Sequence, residues 1–308
     1  MADRRTPIWI WLALSCAWPA TAADPPAAAG RGTTVEGVTV QASKKPLDRQ
    51  VQDYVGTADV PSRIGQLPRW NDKICPLTVG MSPEYNAFVS NRVLELAARV
   101  KAPVGKAGAC TTNLVILFTP QPQAILDKVL KDKPWALGAH YTQGEARALA
   151  TVKHPIQAWY ATATQDLNGR VIPDDPEADW QATSDPDEIV ANATHAEGSR
   201  LRLGLMSQFA SVLVVADSTK VAGRQLGALS DYIAMLALTQ SKSLDGCRDL
   251  PTITNLFATD CAGAGTASEA TAADLAYLRT LYSTSGGLIG AVQQGAIMSE
   301  MRRALKTK

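Results

Sequence analysis

The sequence predicts an α+β fold, a mixed sheet with a buried central helix and C-terminal helices. Two observations carry that reading. Short apolar runs fit for strands (Leu114 to Phe118, Ile156 to Thr162, Phe209 to Ala216) are interleaved irregularly with stretches of helical spacing. One stretch, about Gly223 to Gln240, is apolar on nearly every side and therefore belongs inside a domain.

The chain of 308 residues opens with the layout of an export signal. Arg4 and Arg5 give a positive start, and Ile8 to Ala17 is apolar, with Trp9, Trp11, Leu12 and Leu14. Pro19 breaks the run before the small-x-small triplet Ala20, Thr21, Ala22, so residues 1–22 read as a signal peptide cleaved after about Ala22. The expected location is periplasmic or secreted. Lipid anchoring at Cys16 is the minor alternative, since Ser15 precedes that cysteine but the leucine usual three residues before it is missing. Residues 23–65 are rich in Pro, Ala and Gly and read as a flexible tail in which Val35 to Val40 could form one short strand. Residues 66–308 then read as a single globular domain.

Ser82, Pro83 and Glu84 form a helix start: a cap, a proline at the first helical position, and an acid facing the positive end of the dipole. Val89, Val93, Leu96 and Val100 follow at helical spacing, predicting a helix over 83–101. Gln121 to Lys131 reads as a second helix. Between Ile172 and Val190 lie Asp174, Asp175, Glu177, Asp179, Asp185, Asp187 and Glu188 with no base; the spacing fits no calcium motif, and a solvated acidic loop is expected. Leu201 to Leu205 and Phe209 to Ala216 read as two strands before the apolar helix. Thr271 and Asp274 form a capping-box-like start for a helix carrying Leu275, Leu278, Leu281 and Tyr282, and a last helix covers about Leu288 to Leu305.

Composition excludes several classes. The chain holds 30 Lys+Arg and 29 Asp+Glu; losing Arg4, Arg5 and Asp3 with the leader leaves it formally neutral, so nucleic-acid binding is not expected. No apolar run after the leader reaches the roughly 18–20 residues of a membrane helix, so no transmembrane segment is expected in the mature chain. Beyond Cys16 the cysteines are Cys75, Cys110, Cys247 and Cys261, none in a C-x-x-C. Structural disulfides are expected between neighbours in sequence, Cys75 with Cys110 and Cys247 with Cys261. No G-x-S-x-G exists, and His140, His154 and His195 each sit in polar, loop-like settings, with His140 and His154 read as surface residues. Gly286, Gly287 and Gly290 lack the strand-to-helix context of a nucleotide loop.

The order of helix, strand, helix, strands, buried helix, disulfide-bounded turn and helix resembles the zincin metallopeptidases, particularly their metzincin branch. In that family the central helix carries H-E-x-x-H-x-x-G-x-x-H, whose histidines hold zinc and whose glutamate activates water. Laid on this motif, Ser230 takes the first histidine position, Asp231 the glutamate, Ala234 the second histidine, Ala237 the glycine and Gln240 the third histidine. Pro251 to Phe257 resembles the turn beneath the metal without its methionine, and Asp274 to Tyr282 resembles the closing helix. The closing Asp-x-x-x-Leu-x-x-Leu-Tyr pattern is also similar to that of uncharacterised exported proteins of Gram-negative bacteria.

Every ligand position departs from that chemistry, so no metal, no cofactor and no catalytic residue is expected. The sequence instead points to a non-catalytic protease-like scaffold that binds a protein, peptide or envelope component. The alternative is a carboxylate-dependent hydrolase using Asp231 and an acid of the 174–188 loop. Asp231, in the middle of an apolar helix, must be paired or hydrogen-bonded, with Arg224 or another arginine as the expected partner.

Overall fold

Apolar runs before residue 167 and after residue 204 build the core of this protein. The computed structural model describes residues 45–106, 109–166, 168–175, 178, 203–258, 261 and 267–306. The signal peptide, Val35 to Val40, Glu177, Asp179, Asp185, Asp187, Glu188, His195 and Leu201 lie outside the described residues.

Ordered structure starts earlier than residue 66. Helix α1, Leu47–Ala58, buries Val51, Tyr54, Val55 and Ala58, the spacing of one helical face. These residues share the main core with Ile297 and Met301. The Pro/Ala/Gly composition of 23–65 hides this face because its apolar residues fall in only one turn-spaced stripe. The tail boundary at 65 is corrected accordingly.

Among the described residues the sheet has five strands in the order β1 (Pro76–Val79), β2 (Leu114–Thr119), β5 (Leu205–Asp217), β3 (Ile156–Asp166), β4 (Val171–Pro173). The β1–β2 and β2–β5 pairs are parallel, whereas β5–β3 and β3–β4 are antiparallel. This is the mixed sheet of an α+β protein. Helix α2 (Pro83–Arg99) makes the crossover between β1 and β2, starting at the proline the sequence marks. Gly80, at φ +101°, permits the turn before it, where a Cβ would collide with the Phe118 carbonyl oxygen.

The two strands expected at 201–205 and 209–216 are corrected to one continuous strand, Leu205–Asp217. The polar residues Ser207 and Gln208 remain in the ladder because β3 pairs them, Gln208 opposite Ala163 and Ser207 opposite Thr164. Gln66 supports the same stretch, accepting from the Ser207 N–H and donating to the Leu205 carbonyl, both at 2.9 Å.

One face of the sheet packs on α2, α5 (Leu226–Leu238) and the C-terminal helices α6 (Ala272–Ser283) and α7 (Gly290–Lys306) through the main core. Every residue of α5 from Ala228 to Leu238 is buried, as its all-round apolar character requires. The other face carries a smaller cluster in which Leu126 of α3 (Pro122–Asp132), Leu137 and Ala150 cover Trp159 and Val215. Helix α4 (Gln143–Leu149) follows a Thr142–Glu145 capping box.

Both expected disulfides form, Cys75–Cys110 and Cys247–Cys261, with Cα atoms 6.0 and 5.2 Å apart. They close loops whose cross-linking contributes on the order of 3–4 kcal/mol each in the chain-entropy model. Among the described residues no helix is long and apolar enough to cross a membrane.

Candidate functional site

Asp231 is fully buried, and a bare carboxylate there would cost several kcal/mol. Its partner is Arg92 of α2. The Arg92 Nε–H donates to Oδ1 at 2.7 Å and an Nη–H donates to Oδ2 at 3.0 Å, a two-bond fork. The Ala270 N–H adds a third bond to Oδ2 at 2.8 Å. Asp231 in turn raises the pKa of the already basic guanidinium by accepting its hydrogen bonds. Arg224, the partner named from sequence, instead stacks over the Phe257 ring at 5.6 Å from its centroid. Position 92 lies far away in sequence, and only the packing of α2 on α5 makes it the neighbour.

The remaining motif positions are equally occupied. The Ser230 hydroxyl donates back to the Leu226 carbonyl at 2.7 Å, the usual fate of a helical serine in an apolar setting. Ala234 is wholly buried and offers no donor atom. Gln240 lies past the end of α5 and lines a separate cavity of about 250 Å³ with Trp159, Tyr160 and Ser62. The four positions therefore do not converge on one recess. Residues 251–257 do contact α5, with Phe257 edge-on to Tyr232 at 5.1 Å between centroids. Zinc does not fit this set: one oxygen is engaged in the helix, both Asp231 oxygens are held by donors, and Ala234 has none to give. Among the described residues no group of three or more His, Cys, Asp and Glu side chains is placed to hold a metal ion.

Asp274 closes the same neighbourhood. Fully buried, it caps α6 and accepts from the Tyr54 hydroxyl, the Ile253 N–H at 2.9 Å, the Thr271 N–H and hydroxyl, and the Thr252 hydroxyl. One carboxylate thus ties α1, the 253–257 turn and α6 together. That makes it a structural joint.

A different constellation stands on the opposite face of the sheet. Gly138, at φ +117°, turns the chain after the short 3-10 helix Pro134–Leu137 and brings His140 inward. The imidazole is buried, which corrects the surface reading. Its Nδ1 lies 2.9 Å from the Gly138 carbonyl oxygen and 2.9 Å from Asp175 Oδ2, while the His140 N–H donates to the same carboxylate at 3.2 Å. Asp174 is buried too, accepting from the Thr164 hydroxyl at 2.8 Å. For these two acids the solvated-loop expectation is corrected: they stay inside because β4 delivers them to the sheet.

Two acceptors around Nδ1 fix a proton there and leave Nε2 as the nitrogen free for chemistry. His140 lines a pocket of about 440 Å³ between α3 and α4, with Tyr141, Lys131, Arg147, Asp127 and Leu130 among its walls. His140 and Asp175 are 35 residues apart, and neither sits in a motif. A glycine two residues before a histidine was the only local signal. His154 is half-buried, 3.7 Å from the Asp245 carboxylate.

Comparison of the chain with protein-family models, with curated proteins and with solved structures gives no match.

Proposed function

We propose that this chain is an exported, non-catalytic protein that uses a protease-like scaffold to bind a protein, peptide or envelope component. The observation that carries the reading is the state of Asp231. In a zinc peptidase the acid at that position must reach a water molecule, and here both of its oxygens are engaged by Arg92 and the Ala270 N–H. The same contacts weigh against the hydrolase alternative, whose general acid or base would be this carboxylate. The two disulfides and the apolar leader support an oxidising compartment outside the cytoplasm.

Metal analysis of the purified protein together with peptide hydrolysis tests the proposal. The expected result is no stoichiometric zinc, no turnover, and a binding partner retained equally by wild type and a folded Asp231→Asn variant. Stoichiometric zinc with hydrolysis that disappears in Asp231→Asn overturns it.

A further inference from the structure

We infer that the pocket between α3 and α4 is a binding site for a small-molecule oxyanion, a carboxylate or a phosphoryl group. This goes beyond the reading above, because the pocket lies on the other face of the sheet from Asp231.

Three features meet there. His140 has Nδ1 held by Asp175 and the Gly138 carbonyl, so its ring cannot turn and Nε2 is its remaining hydrogen-bonding atom. Its side chain is only 6% exposed, and Nε2 has no partner among the described residues. Lys131 of α3 and Arg147 of α4 line the same 440 Å³ pocket, and neither has an ion pair among the described residues. Two cations without an ion pair among the described residues line the pocket beside a fixed imidazole and attract a negative ligand, and the Arg147 fork matches two oxygens on one centre.

The charged groups facing the imidazole, besides Asp175, are Asp127 and Lys131 from α3, and Glu145 and Arg147 from α4. Asp127 is occupied by the Gln123 side-chain amide at 2.8 Å, and Glu145 by the Tyr141 and Thr142 N–H groups.

Isothermal titration of the purified, disulfide-bonded protein with oxalate, and separately with inorganic phosphate, tests the assignment. Saturable binding of at least one probe is expected. Arg147→Gln, on an exposed helix face, should weaken binding about tenfold without disturbing the fold. The preferred probe tells a carboxylate source from a phosphoryl one. Absence of saturable binding at millimolar probe, or equal affinity in Arg147→Gln, overturns the proposal.

Discussion

The α5 region and the α3–α4 pocket each join a buried carboxylate to a cationic or basic side chain, yet they end in opposite states. At α5, Arg92 offers its fork to both oxygens of Asp231, and the Ala270 N–H completes the set. Nothing is left over for a ligand. In the pocket, Asp175 meets His140 through Nδ1 and through its backbone N–H, and the second ring nitrogen has no partner among the described residues, with Lys131 and Arg147 lining the same pocket. The difference teaches that the chemistry of a buried acid is set by how many donor atoms its partner leaves unused. A guanidinium fork satisfies a carboxylate and ends there, whereas an imidazole satisfies it through one nitrogen and passes orientation on to the other.

The largest effect should come from breaking the closed pair. Asp231→Ala leaves the Ala270 N–H without its acceptor and Arg92 with only the surface acids Glu95 and Glu269, and is expected to cost about 3 kcal/mol in urea unfolding. The double variant Arg92→Met with Asp231→Leu should recover most of that loss, because both charges leave together. A double variant as unstable as the single one would show that the fork is not what fills this site.

Asp59 is an intermediate case. Burial pushes its carboxyl up to about 6 from an ordinary 3.8, against the opposing hydrogen bond donated by the Tyr277 hydroxyl. A carboxyl whose folded pKa is raised costs stability while ionised, and that cost fades as pH falls from the folded value to the unfolded one. Asp59→Asn lacks the titration. Its stability relative to wild type should therefore decline by about 2–3 kcal/mol between pH 7 and pH 4. A constant difference across that window would show that burial does not raise this carboxyl.

The smallest effect on stability belongs to the open pair. His140→Gln keeps a donor for Asp175 and should change unfolding free energy by less than about 1 kcal/mol. A loss comparable with Asp231→Ala would mean that the imidazole serves the fold and not the pocket.

Much of the scaffold was legible because it follows from short-range rules. The Ser82-Pro83-Glu84 start yields α2 at Pro83, the Thr271–Asp274 box yields α6, and the all-round apolar 223–240 stretch yields buried α5 at 226–238. Neighbouring cysteines gave both disulfides. Helix α1 was missed because its single apolar stripe sits in a Pro- and Ala-rich context. The short strands β1 and β4 were missed because three or four residues carry too little alternation to read. Of the site, the need for a partner at Asp231 could be read, but the partner itself could not.

The amino-acid sequence by itself determined the longer helices and strands, which cysteines pair, and that an acid in an apolar helix must be compensated. Those outcomes depend on periodicity, capping and solvation, all of which act within a few residues or on one group. The tertiary structure alone decided that Arg92 and not Arg224 meets Asp231, and that Asp175 fixes His140 beside Lys131 and Arg147. Such contacts join residues from separate elements, and their distances come into being only when the sheet sets its strand order and the helices settle on its two faces.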